Sequence, residues 1–166
     1  MYQPILNKPF LVHDDDATNS PLDHQRTISK LTVGLGILFY HQQTLTLEPL
    51  PETPLGEGPG HQVPDVILFD NAAQETRVII EVTHPRTVKR DLAKIIHLIE
   101  NDDYGIEEGF VYNYYTSEWH RYRKGDEGVA VASSYSELMD VDLGPGTTLH
   151  KQISHSELKI RHDRRG

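Results

Sequence analysis

The chain has 166 residues, a formal net charge of -9 and no cysteine. That length suits one domain with a real core, and the missing cysteine excludes disulfides, thiolate metal sites and a Cys nucleophile. A chain this acidic is repelled by nucleic-acid backbone unless a basic patch or a bound cation reverses the local sign. No apolar run is long enough for a membrane span. The opening MYQPILNKPF has no basic region followed by an apolar block. Neither a membrane segment nor a signal peptide is therefore expected, and the expected location is cytoplasmic.

Residues 1–20 read as irregular, with Pro4, Pro9 and an Asp14-Asp15-Asp16 run that suits a solvated turn. Ser20-Pro21 predicts a helix start, with Ser20 as N-cap and Pro21 at the first position. From Leu22 to about Gln42, the residues Ile28, Leu31, Leu35 and Leu38 recur at helical spacing. His24 falls in register with that stripe. It reads either as a half-buried histidine making one hydrogen bond or as a site residue. Thr44–Glu48 alternates and predicts a strand with Leu45 and Leu47 inward; Glu48 is then an exposed polar residue or a third acidic ligand. Residues 49–63 are rich in Pro and Gly and predict a loop.

The next stretch, Pro64 to Thr83, holds two apolar runs, Val66–Phe69 and Val78–Val82, around a polar connection. It predicts a β-hairpin. Asp65 shares a strand face with Ile67 and Phe69, and Glu81 shares one with Ile79 and Thr83. A hairpin symmetric about Ala73 sets Asp65 across from Glu81. Directly opposed Cβ atoms lie about 4.5–5.5 Å apart. Two carboxylates so close in apolar surroundings resist ionising unless a cation lies between them, and oxygen ligands of this kind suit Mg²⁺ (or Mn²⁺).

Pro85 stops the strand, and a helix is expected from about Thr87 to Asn101. Its predicted buried stripe is Val88, Leu92, Ile95, Ile96 and Ile99, with Asp91 and Lys89 on opposite flanks and Lys94 turned toward solvent. Strands are expected over Gly109–Tyr115 and Trp119–Arg123, with a third over Val129–Ala132. Strand, helix and strand form a right-handed crossover with the two strands parallel. Ser136–Met139 predicts a helical turn, 143–146 a turn, and 151–166 a basic tail.

The order is helix, strand, hairpin carrying Pro-Asp and then Glu, helix, strand. This resembles the PD-(D/E)XK nuclease superfamily and, within it, the Uma-two family of restriction-endonuclease-like proteins. The matching residues are His24, Pro64-Asp65, Ile80-Glu81-Val82, Pro85, Arg90-Asp91 and the strand pair FVYNYYTSEWHRY. The implied fold is α/β: a restriction-endonuclease-like core with a mixed β-sheet flanked by helices in αβββαβ order. A single domain spans 1–166, with its core at about 20–145. The resemblance implies that Asp65 and Glu81, with the Val82 carbonyl, bind Mg²⁺ and that DNA is the substrate. A homodimer is the expected form for cutting two strands. The family places a lysine two residues after the glutamate, where this chain has Thr83. The resemblance implies that a helical lysine, Lys94 or else Lys89, takes its place beside His24 and Asp91. Lys94 comes one residue early relative to the usual spacing from Asp91, a turn of roughly 100°. The competing reading is a catalytically inactive member of the fold that serves as a binding or oligomerisation module.

Overall fold

The computed structural model describes residues 21–144. The Asp14–Asp16 run, Ser20, the end of the 143–146 turn and the basic tail lie outside the described residues. Helix α1 (Pro21–Gly36) begins at the proline whose fixed φ suits a first helical turn. It passes into a π-helical turn over Ile37–His41, so the regular helix stops short of Gln42. Strands β1 (Glu48–Pro51), β2 (Val66–Asp70) and β3 (Glu75–Thr83) follow, then helix α2 (Val88–Glu100), then β4 (Glu108–Asn113), β5 (Glu118–Arg123) and β6 (Val131–Ala132). These six strands form one sheet in sequence order. Every pairing is antiparallel except β3–β4, which α2 bridges as a crossover.

Alternation along the strands divides the core in two. Val66, Leu68, Val78, Ile80, Val82 and Phe110 pack on one face against Ile28, Leu31 and Leu35 of α1. Ile67, Ile79, Val111 and Tyr122 pack on the other against Ile95, Leu98 and Ile99 of α2. The sheet is therefore covered on both sides, and a side chain on its central strands is buried whichever way it points. Gly109 lets α2 come close, because a Cβ there would sit 2.3 Å from the Ile95 side chain.

Several local expectations are corrected. The early alternation does bury Leu45 and Leu47, but the strand itself is Glu48–Pro51. Burial set the pattern there, whereas the ladder forms only where β2 offers a partner, from Glu48 opposite Phe69 to Pro51 opposite Val66. The strand expected over Val129–Ala132 shrinks to two residues. Ser136–Met139 is no helical turn. Tyr135–Ser136 (β7) pairs with Val141–Asp142 (β8) in a small hairpin that lays Met139 and Leu143 on the α1-side core. Beneath it lie Glu108 and Arg121, buried and 4.0 Å apart. The Ser136 hydroxyl donates to Glu108 Oε2, and Arg121 Nη1 donates to the Tyr135 carbonyl at 2.7 Å. No helix among the described residues is long and apolar enough to cross a membrane.

Candidate active site

The β2–β3 register sets Val66 opposite Ile80, Ile67 opposite Ile79 and Leu68 opposite Val78. Carried back one residue, this alignment brings Asp65 to Glu81, as the symmetric hairpin requires. Past Leu68 the register slips, and Phe69 faces Thr76. The expected symmetry therefore holds at the base of the hairpin and fails at its tip.

Asp65 is half-buried, and its Oδ2 accepts a hydrogen bond from the Val82 backbone N–H at 2.7 Å. His24 reaches the same place from α1. Its Nε2 lies 2.9 Å from the Val82 carbonyl and 3.4 Å from Asp65 Oδ2. A carbonyl can only accept, so Nε2 carries a proton. The bond to Asp65 raises the His24 pKa above its ordinary value, against the opposing effect of burial. Both backbone polar groups of Val82 are thus taken, its N–H by Asp65 and its carbonyl by His24.

Glu81 lies near the C-terminal end of β3, on the sheet face that α2 covers, with its side chain only 9% exposed. Burial pushes its pKa up to about 7, with Lys94 opposing and the charges of Asp65 and Asp91 adding to the rise. Lys94 Nζ is 2.7 Å from Glu81 Oε1. The ammonium is the cation that meets this buried oxygen, and it pulls the carboxyl back toward its charged form.

The expectation that Lys94 faces solvent is thereby corrected. The buried residues of α2 are Asp91, Ile95, Leu98 and Ile99, whereas Val88, Leu92 and Ile96 are only partly buried. The helix is rotated toward the Asp91–Leu98 side, and Lys94 lies on that ridge, three residues from one and four from the other. Asp91 and Lys89 do fall apart as expected: Asp91 is buried and Lys89 is exposed. Thr83 is buried, and its hydroxyl is taken up by Thr87 and the His84 carbonyl. Glu48 is not part of the cluster. It lies at the far end of β1 and bonds Tyr40 and Asn71.

The residues that could hold a cation are Asp65, Glu81 and the Val82 carbonyl, which already accepts from His24 through one lone pair. All are hard oxygen donors and two are carboxylates, one of them buried, so the donor set fits a small divalent ion. No group of three or more His, Cys, Asp or Glu converges among the described residues. An ion here would therefore draw most of its coordination from water and substrate, as Mg²⁺ characteristically does.

A crystal structure of a candidate nuclease belonging to DUF820, from Anabaena variabilis ATCC 29413, superposes with a TM-score of 0.53. The match covers 78% of this chain and 75% of that one at 15% identity. The fold is restriction-endonuclease-like. The type IIG restriction endonuclease BpuSI aligns over 61% of this chain and 12% of its own at 9% identity. Its TM-score is 0.46. No protein-family profile and no curated protein matches the chain. In the restriction-endonuclease-like fold seen here, a two-sided sheet brings the hairpin acids, the α2 lysine and the α1 histidine to one end of β3. One member of the neighbourhood, Arg90, is among the residues that carry the family resemblance but has no role assigned to it by sequence. A cation in the first turn of a helix runs against the helix dipole and is a signal in itself.

Proposed function

We propose that the protein is a Mg²⁺-dependent endonuclease of the Uma-two type that hydrolyses DNA phosphodiester bonds. The observation that carries this reading is Glu81: a carboxylate on a central strand, buried, opposed to Asp65 and met by Lys94. A group held at such cost is retained where it has a ligand to bind. Asp65 and Glu81 would hold the ion, with the Val82 carbonyl as a further ligand. When bound, the ion would polarise the scissile phosphate and lower the pKa of a bound water. Lys94 keeps Glu81 in place and stands where an ammonium can orient that water. His24 acts through Val82, holding its carbonyl while Asp65 holds its N–H, so it is a positioning residue. Thr83 supplies neither positive charge nor a proton acceptor, and Lys94 takes the part of the missing lysine. A homodimer would bring two such sites to the two strands of a duplex.

The engaged hydroxyl of Thr83 favours a second reading, a nuclease-fold module that binds without cutting. Plasmid nicking in Mg²⁺ or Mn²⁺ decides between them. The wild type should nick, and Glu81→Ala should lose the activity. Equal nicking by both would remove Glu81 from the chemistry, and the absence of nicking by either would favour the binding module.

A further inference from the structure

Beside the acidic pair opens a groove of about 320 Å³, lined among others by His24, Val82, Thr83, Arg90 and Asp91. His24 and Val82 both touch Asp65, so the groove continues from the candidate site. Among the described residues, Arg90 is the one permanently charged cation on its wall. Lys94 is occupied by Glu81, and the residue two after Glu81 is an uncharged threonine. The guanidinium is held at one point only. Its Nε lies 3.0 Å from Asp91 Oδ1, while the rest of the side chain, 74% exposed, presents Nη1 and Nη2 with no partner among the described residues. Asp91 in turn is buried, with a side chain 10% exposed. Steadying an exposed arginine with a buried carboxylate adds little stability, and Lys89 and Arg90 oppose the dipole of α2, which Asp91 in the same turn favours. Both features make sense if an anion docks on the free edge of the guanidinium, whose flat fork matches a phosphate.

We propose that Arg90 is the substrate-positioning residue of this site. Held by Asp91, it grips a backbone phosphate of the bound strand next to the one that is cut. This inference rests on the nuclease reading above. The test is equilibrium binding of a fluorescein-labelled DNA duplex, by anisotropy across a salt series, to protein that cannot cut because it carries Glu81→Gln. Adding Arg90→Ala should weaken binding about tenfold and reduce the slope of log affinity against log salt by about one. Arg90→Lys should recover part of the affinity, because the charge remains and the fork is lost. Lys89→Ala, which removes the same charge from the neighbouring position outside the groove, should change affinity less than about twofold. Equal losses for Arg90→Ala and Lys89→Ala would reduce the effect to overall charge and overturn the assignment, as would tight binding that Arg90→Ala leaves intact; in both cases the nuclease reading stands. No binding of the duplex by the Glu81→Gln protein would overturn the DNA reading and this inference together.

Discussion

Replacing Glu81 by Gln should make the protein more stable above neutral pH, and the size of the gain follows from burial. The folded-state pKa is about 7, against an ordinary glutamate value of 4.5. Between those values the folded chain keeps a proton that the unfolded chain has released, so stability falls as pH rises. The contribution is complete below 4.5 and lost above 7. At 1.36 kcal/mol per unit, the shift corresponds to about 3 kcal/mol. Urea unfolding in the presence of a chelator, from pH 4 to 8, measures it for both proteins. The stability of Glu81→Gln minus that of wild type should climb by about 3 kcal/mol across this range and level off at both ends. His24 adds a separate slope of the same sign. Its raised pKa gives stability that is present below 6.5 and lost as pH rises through the folded value, but it is common to both proteins and cancels in the difference. Added Mg²⁺ should restore stability to the wild type at pH 8 and leave Glu81→Gln unmoved. A difference that stays flat with pH would mean that Glu81 titrates as an ordinary carboxylate, and the argument from its burial would fail.

Lys94→Met removes the cation that holds the Glu81 pKa down. The acid limb of the nicking pH–rate profile should move to higher pH, with a loss at neutrality of about a hundredfold or more. Gly109→Ala forces a methyl group into the Ile95 side chain and should cost about 1–3 kcal/mol in urea unfolding. Ser136→Ala leaves Glu108 Oε2 without its hydroxyl donor and the Met139 N–H without its acceptor. The expected cost is about 1–3 kcal/mol, with faster amide exchange in the β7–β8 hairpin by NMR.

The two-sided sheet was legible because its central strands are short unbroken runs of Val, Ile, Leu and Phe and its helices carry apolar residues at helical spacing. The pairing of Asp65 with Glu81 was legible because a hairpin's alignment can be counted from its turn. Lys94 was misjudged because an ideal helical wheel takes its orientation from apolar residues. The real α2 buries Asp91 and turns Val88, Leu92 and Ile96 partly outward, and no hydrophobicity pattern expects a buried aspartate. Glu108 was missed for the same reason. Its partners Arg121 and Ser136 are distant in sequence, and only their convergence makes a buried glutamate tolerable. The shift of β1 from Thr44–Glu48 to Glu48–Pro51 reflects a strand defined by its neighbour's position rather than by its own residues.

The slip in alignment between Leu68 and Phe69 places Arg77 as an extra residue in β3. The hairpin is thereby divided into two lengths that need not keep step. The stem, from Leu68 and Val78 inward, is locked by side chains buried on both faces. The tip beyond it hangs on polar turn residues from Asp70 to Glu75. Shortening or extending that tip changes the bulge before it disturbs the stem, so this surface loop can be rebuilt or grafted while the two acids at the other end stay face to face.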